Sequence, residues 1–427
     1  MNRKINVLAF PAGEINSIEL CDALSTNVNV NLFGASSVDR HGGFAFKNYI
    51  SGLPLISDAG FIGRLNEVIA DAQIDVVFPT HDDVAEFLAE NRDKLNAIVV
   101  AADKETAAIC RDKSKTFEVF SDCGFCPELF SEVENYPVFV KPRRGQGSVG
   151  AKIAEKPSDL PDGIQDYAVC EYLPGEEFTV DCFTGLNGVL QAVLPRSRQR
   201  IFGGVSVRGR NEPLTDEIAD IATTINSRLK FLGLWFFQIK RSKEGRYKLL
   251  EISTRCAGTM CLSRALGVNL PLLSVYAAMG YETTVFRNDY NVTVDRTLIS
   301  RYKTDLRYDR VYIDLDDTII IDGKVNLQAV QFLYQCSNEG KRVFLITRHD
   351  ACHKDCTEDT LKSNKISPEL FEDILHIDLD MPKVAVINPE SAIFIDNAFA
   401  ERKAVHESLG IPVFDVDGIE VLLDWRK

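Results

Sequence analysis

The chain has 427 residues and a net charge of −14, with 45% hydrophobic and 26% charged residues. That length exceeds one ordinary core and divides into two or three domains, and the composition is that of a globular α/β chain rather than a disordered or fibrous one. The acidic balance argues against a nucleic-acid surface, and no apolar run reaches the length that spans a bilayer.

Strand-like and helix-like runs alternate from the start: 5–10, 17–25, 28–33, then 75–79, an amphipathic helix at 84–95, and 98–102. Such alternation predicts a parallel sheet with helices packed on it. Ligands of open α/β sheets sit beyond the carboxyl ends of the strands. Pro11-Ala-Gly-Glu14 and Thr80-His-Asp-Asp83 therefore fall at a site edge. Each also reads as a capping turn, with Thr80 or Asp82 capping the helix that follows, and the structural role is the preferred reading.

Arg111-Asp-Lys113 opens a helix at 114–122 that ends at Cys123-Gly124. A strand then runs into Lys141, 28 residues after Lys113. The turn Pro142-Arg-Arg-Gly-Gln-Gly-Ser-Val-Gly150 follows. Gly145, Gly147 and Gly150 let a backbone approach a phosphate chain closely and aim several N–H groups at it. Lys141 supplies a point charge for the same phosphates. No Gly-Lys-Ser/Thr closes the turn, so it is not a P-loop. Strands at 168–173 and 176–183 come next, and a hairpin joins 233–240 to 247–253. Arg196, Arg198, Arg208 and Arg210 crowd a stretch that also holds Gly203-Gly204; they read equally as an anion site and as a solvated basic loop. Eleven scattered cysteines, several in apolar runs, read as reduced thiols. With no leader ahead of the first strand, the expectation is a cytoplasmic chain. Cys123/Cys126 and Cys352-His353 with Cys356 lack a second pair at zinc-finger distance and are not read as a zinc site.

The ordered set Lys113, Lys141 with its loop, Glu171-Tyr-Leu173, Glu177, Gln238 and Glu251-Ile-Ser-Thr-Arg255 resembles ATP-grasp proteins of the carbamoyl-phosphate-synthase-like type. The resemblance covers about residues 1–300. It implies a Rossmann-like pre-ATP-grasp domain at 1–102 and ATP-grasp α+β lobes at 103–300, with ATP between the lobes. Lys113 and Lys141 would reach phosphate oxygens, and the loop with Gly145, Gln146, Gly147 and Ser148 would close over them. The backbone of Glu171 to Leu173 would meet the adenine edge, and Glu177 the ribose hydroxyls. The residue chemistry agrees. Mg²⁺ (or Mn²⁺) wants oxygen ligands and bridges phosphates. Glu251 and Ser253, two apart on a strand, point the same way, and Gln238 on the partner strand can face them. Arg255 adds a fixed charge for a transferring phosphoryl group. Ser253 stands where the family usually has asparagine, which weakens one metal position. Enzymes of this type activate a carboxylate as an acyl phosphate and pass it to an amine, so small-molecule carboxylate and amine substrates are expected.

A basic, polar segment at 301–308 reads as a linker, and a new α/β series starts at 309. Asp314 and Asp316 stand two apart at a strand end, share a face, and repel unless a cation lies between them. A second strand ends in Thr347, Lys383 follows Pro382, and a third strand ends in Asp396-Asn397, with Glu401 about one turn beyond. Residues 309–427 thus resemble the haloacid-dehalogenase-like phosphatase superfamily. The resemblance implies Asp314 as nucleophile, Asp316 as general acid then base, and Thr347 and Lys383 on the phosphoryl group. Asp396, Asp314 and the Asp316 carbonyl would bind Mg²⁺. Asn397 and Glu401 stand in for the usual second aspartate. Only 29 positions separate Thr318 from Thr347. That is room for a helix and a flap rather than a folded cap, with a small lid possible at 349–356. An open site would accept a large phosphorylated molecule, or one presented by the ligase half. The expectation is a bifunctional enzyme without nucleic-acid or membrane partners. Two alternatives stay open: a carbamoyl-phosphate-type or kinase-like enzyme needing no amine, and a nucleotide sensor with an inactive docking module.

Overall fold

The computed structural model describes residues 3–348 and 354–426, the side chains of 354–356 excepted. The lid expected at 349–356 and the Cys352/His353/Cys356 group therefore lie outside the described residues, apart from helical backbone after 353. Two compact units are present, Met1–Leu298 and Ile299–Trp425.

The first unit opens with β1 (Ile5–Phe10), α1 (Ile15–Leu24), β2 (Val30–Ala35), α2 (Gly42–Ala45), β3 (Asn48–Ile50), α3 (Phe61–Asp71), β4 (Val76–Pro79), α4 (Asp82–Glu90) and β5 (Ile98–Val99). The strands lie in the order β3-β2-β1-β4-β5, every pairing parallel. Nearly all of β1 and all of β4 are buried, as central strands covered on both faces require. The expected helix at 84–95 stops at Glu90. Asn91 caps that end, donating both its backbone N–H at 3.1 Å and its side-chain amide at 2.9 Å to the Phe87 carbonyl. Neither Thr80 nor Asp82 caps α4, contrary to the sequence expectation. His81 Nδ1 accepts the Asp83 N–H at 3.2 Å, and the Thr80 hydroxyl donates to the Pro11 carbonyl.

Two capped helices follow, α5 (Lys104–Arg111) and α6 (Lys113–Val119). Asp103 accepts from the Thr106 N–H at 2.7 Å and Asp112 from the Ser114 N–H at 2.9 Å. Each such cap is worth about 1 kcal/mol. Antiparallel β6 (Val138–Pro142), β7 (Lys152–Ala154) and β8 (Tyr167–Glu171) form one sheet in the order β7-β6-β8. β9 (Glu177–Thr184) and β10 (Leu190–Ser197) then begin a larger sheet, while β11 (Arg200–Phe202) and β12 (Val205–Arg210) begin a smaller one. After α7 (Asp216–Arg228), the hairpin of β13 (Gly233–Arg241) and β14 (Tyr247–Ser253) completes the order β10-β9-β13-β14. α8 (Cys261–Ala265), α9 (Leu270–Ala278) and β15 (Thr293–Asp295), paired with β12, close the unit.

The two-residue period of β13 decides how this sheet is covered. Trp235, Phe237 and Ile239 join the α7 stripe Ile218, Ile221, Ala222 and Ile225 in one core. Leu234 and Phe236 join Leu270 and Val275 of α9 in another. Phe231 stacks on Trp235 with ring centroids 4.1 Å apart. Each fully buried large side chain here contributes about 1.5–3 kcal/mol.

The second unit contains β16 (Arg310–Asp314), the hairpin β17 (Ile320–Ile321) and β18 (Lys324–Val325), α10 (Leu327–Asn338), β19 (Arg342–Thr347), α11 (Lys354–Ser363), β20 (Asp373–His376), β21 (Ala392–Ile395), α12 (Phe399–Leu409), β22 (Val413–Phe414) and α13 (Ile419–Leu422). Its sheet runs β20-β19-β16-β21-β22, all parallel. The 29 positions between Thr318 and Thr347 hold the small hairpin, α10 and β19. Among the described residues no helix is long and apolar enough to cross a membrane.

Candidate functional sites

In the first unit one lateral row crosses the four-stranded sheet. Arg196 of β10 faces Thr179 of β9, Thr179 faces Gln238 of β13, and Gln238 faces Glu251 of β14. Register partners on one face of a sheet are contact neighbours, and all four line a cleft of about 320 Å³. Lys113, Lys141, Gly145, Gln146, Gly147, Ser148, Glu177, Arg198 and Arg255 line the same cleft. The cations predicted for phosphates, the glycine loop and two of the predicted metal ligands therefore converge.

A β-bulge shapes this convergence. β13 and β14 pair Gln238 with Glu251 but Ile239 with Leu249, so Leu250 has no partner across the ladder. Its freed carbonyl accepts Lys141 Nζ at 2.8 Å. Lys141 also lies 4.8 Å from the Phe117 ring centroid, and burial pushes its ammonium below the usual lysine range. Lys113 Nζ donates to the Gly145 carbonyl at 2.9 Å and stands 3.6 Å from Glu251 Oε2. Within the loop, Gly147, Ser148 and Gly150 all take positive φ. Gly204 packs so closely on it that a Cβ there would stand 1.9 Å from the Gly147 carbonyl oxygen.

The parallel domain contributes through the turn after β4. Gln146 Nε2 meets His81 Nε2 at 2.5 Å. Asp82 accepts from the Ser253 hydroxyl at 2.7 Å and from Arg255 Nε at 2.9 Å. Asp83 pairs with Arg111 Nε at 2.6 Å. Burial would raise the Asp82 carboxyl, but the Arg255 charge and these hydrogen bonds outweigh it and hold the group below the usual carboxylate range.

Several predicted residues stand elsewhere. The Ser253 hydroxyl is committed to Asp82 and lies outside the cleft lining. Glu171 accepts from the Glu128 N–H at 3.0 Å, and neither it nor Leu173 lines the cleft. Of the arginines, Arg196 and Arg198 line the cleft and Arg208 does not, and each is paired with an acid. Arg196 is buried in a two-pronged pair with Asp181, at 2.8 and 3.0 Å. Arg198 Nε lies 3.0 Å from Glu177 Oε1, and exposed Arg208 pairs with Asp295. Sequence reasoning missed Asp181, Thr179, Asn16 and Arg296, which carry no local pattern. It put the turn Thr80-His-Asp-Asp83 at a site edge but preferred a capping role for Thr80 or Asp82.

In the second unit, β16 and β19 end at Asp314 and Thr347, and Asp396 follows β21. Lys383 Nζ bridges Asp314 Oδ1 at 2.5 Å and Asp396 Oδ2 at 2.6 Å, and Thr347 is fully buried at the end of β19. Thr318 Oγ1 donates to Asp314 at 3.4 Å and accepts the Asn397 N–H at 3.2 Å. Asp316 is exposed. Burial, with Asp396 adding to it against the Lys383 charge, pushes the Asp314 carboxyl up to about 6. Glu401 accepts the Lys383 N–H at 3.3 Å and pairs with Arg348.

Oxygen donors suit Mg²⁺, which takes one or two carboxylates and fills its remaining positions with phosphate oxygens and water. The facing pair Gln238/Glu251 fits that need in the cleft. Asp314 and Asp396, sharing one ammonium, fit it in the second unit. Among the described residues no group of three or more His, Cys, Asp or Glu is arranged to hold a metal alone.

Residues 164–298 match the family described as ATP-grasp in the biosynthetic pathway with Ter operon. The chain is 33% identical over 111 residues to the 3-methyl-D-ornithine–L-lysine ligase of Methanosarcina barkeri, a match covering 26% of this chain and 30% of that protein. It thus spans under a third of the length of the curated relative it matches. Two solved structures share the fold. The biotin carboxylase domain of the Hydrogenobacter thermophilus 2-oxoglutarate carboxylase, solved with MgADP, ADP and bicarbonate, aligns with TM-score 0.55 at 15% identity over 69% of this chain and 74% of that one. The L-amino acid ligase of Bacillus licheniformis aligns with TM-score 0.54 at 17% identity over 66% and 76%. The chain carries an ATP-grasp domain of mixed α/β fold.

Proposed function

We propose that the first unit is a carboxylate–amine ligase. Its acid attacks the γ-phosphorus of ATP through a carboxylate oxygen, forming an acyl phosphate and releasing ADP. The amine nitrogen then attacks the acyl carbon, phosphate leaves, and the nitrogen loses a proton. The observation that carries this reading is the row Arg196–Thr179–Gln238–Glu251 beneath Lys113, Lys141 and the glycine loop. The ligase named among the relatives supports it.

Lys113 and Lys141 hold phosphate oxygens, and the loop N–H groups cover them. Gln238 and Glu251 would hold Mg²⁺, which would supply charge neutralisation for the phosphates. Glu177 faces the ribose end. Arg255, held by Asp82, keeps a fixed charge beside the transferring phosphoryl group. ADP release with hydroxylamine as trap tests the reading across a matrix of acids and amines. A hydroxamate establishes the acyl phosphate and names the acid. ADP release without hydroxamate or amine dependence overturns it.

The second unit is read as a capless Mg²⁺-dependent phosphatase acting on a phosphorylated substrate, which makes the chain bifunctional. The Lys383 bridge between Asp314 and Asp396 beside buried Thr347 supports this. Asp314 attacks the phosphorus and becomes an aspartyl phosphate. Asp316 protonates the leaving oxygen and then takes a proton from the attacking water. Asp314 and Asp396 would hold Mg²⁺, which would supply charge neutralisation. Asp314→Asn should abolish phosphate release from phosphomonoesters and leave ADP release by the ligase within about twofold; loss of both refutes the two-site reading.

A further inference from the structure

Most cations in the ligase cleft already have partners. Lys113 stands beside Glu251, Arg196 is held by Asp181, Arg198 lies against Glu177, and Arg255 is held by Asp82. Lys141 is bonded to the Leu250 carbonyl and, with Lys113, faces the triphosphate. Arg296 differs. It lines the cleft, joins no ion pair among the described residues, and its Nη1 is buried without a hydrogen-bond partner. A buried N–H of a charged group without an acceptor is costly, so such a nitrogen in a cleft marks the place of a missing acceptor.

The surroundings set that place apart from the phosphates. Arg296 follows β15 and reaches Gly258, three residues beyond Arg255. A Cβ on Gly258 would stand 3.0 Å from Arg296 Nη1 and 3.2 Å from Asn16 Oδ1. The glycine thus keeps a side chain out of the space beside the guanidinium. Asn16 donates its amide to the Thr80 carbonyl at 3.1 Å, which fixes its orientation. The nearby acid Glu19 is occupied by Arg264, at 3.1 Å on both prongs, and does not pair with Arg296.

We propose that Arg296 anchors a second anion subsite in the cleft. It takes a carboxylate or phosphate group that a substrate carries besides the carboxylate being activated. The inference deepens the ligase reading and rests on it for the location of ATP. The substrate class narrows accordingly. Either the acid is a dicarboxylate or a phosphorylated acid, or the amine is an amino acid whose own carboxylate sits at Arg296.

The test uses the full chain with Mg²⁺ and a non-hydrolysable ATP analogue filling the triphosphate positions. Inorganic phosphate is titrated by calorimetry. Beyond the phosphate taken by the proposed phosphatase site of the second unit, one further saturable site is expected in the wild type. Arg296→Gln should weaken it at least tenfold, Arg296→Lys should stay within about threefold, and the exposed Arg246→Gln should leave it unchanged. No further saturable site in the wild type, or equal affinity in a folded Arg296→Gln, overturns the proposal. If Arg296→Gln does not fold, Gly258→Ala decides: its methyl fills the space beside Nη1, and unchanged phosphate affinity overturns the subsite. A second arm compares ADP release with amino acids against their carboxamides, and with dicarboxylic acids against their half-amides. A tenfold preference that Arg296→Gln erases identifies which substrate carries the anion. Arg296-dependent phosphate binding with no ADP release from any pair leaves the subsite standing and sinks the ligase reading.

Discussion

Replacing Arg196 by methionine separates a structural arginine from a substrate arginine. The side chains of Arg196 and Asp181 are 3% and 0% exposed, joined at 2.8 and 3.0 Å, and Ser263 adds a bond to Asp181 at 3.1 Å. Removing the guanidinium strands a buried carboxylate, which costs about 3–5 kcal/mol when one partner of such a pair is lost. Removing both charges relieves most of that penalty, because a buried pair contributes little beyond apolar residues of similar volume. Asp181 faces Leu194 and Phe236 across the sheet, so leucine there meets apolar neighbours. Arg196→Met should therefore lose about 3–5 kcal/mol, and Asp181→Leu/Arg196→Met should recover to within about 1.5 kcal/mol of wild type. The chain has two tryptophans, and Trp235 is fully buried in this sheet. In a Trp425→Phe background its fluorescence in urea reports the first unit alone. A loss under about 1 kcal/mol for Arg196→Met, the range of exposed pairs, would refute the reasoning and return Arg196 to the substrate arginines.

Gly204→Ala should weaken ATP binding at least tenfold with little loss of stability. Its Cβ would stand 1.9 Å from the Gly147 oxygen and φ is +75°, so one loop must move; nucleotide titration checks this. Asp82 is held below its ordinary 3.8, so its contribution is present above that value and lost as pH falls through the lowered one. The stability gap between wild type and Asp82→Asn should accordingly close as urea midpoints are followed down from pH 5. Asp314 is raised from 3.8 to about 6. Its contribution is fully present below about 4 and is lost as pH rises through about 6. In metal-free buffer the second unit should lose at most about 3 kcal/mol over that window, at about 1.4 kcal/mol per unit. Trp425 fluorescence in a Trp235→Phe background reads this, and a flat profile contradicts it.

The parallel first sheet, the β13–β14 hairpin and the parallel second sheet were legible because their periodicity is local. Lys113, Lys141, the glycine loop, Gln238 and Glu251 were legible as an ordered set and meet in one cleft. What stayed hidden depends on register and long-range pairing. That Thr179 stands in the row with Gln238 follows from strand pairing, and that Asp181 claims Arg196 follows from a partner 15 positions away. Ser253 pointed the expected way along its strand, yet its hydroxyl was taken by Asp82, 171 positions distant. The turn at 80–83 was read at a site edge, but its hydrogen bonds to the loop, to Arg255 and to α5 were not foreseeable from a capping pattern.

The unpaired Leu250 implies an asymmetry in what this stretch tolerates over descent. Its contribution to Lys141 is a main-chain oxygen, so leucine, isoleucine, valine or methionine serve alike there. Chain length is a different matter. Deleting Leu250 would make the ladder regular and leave Glu251 opposite Gln238, but it would remove the carbonyl that accepts Lys141. The position should be free to drift in identity and closed to gaps, so that a single in-frame codon loss does more harm than any apolar exchange at the same codon.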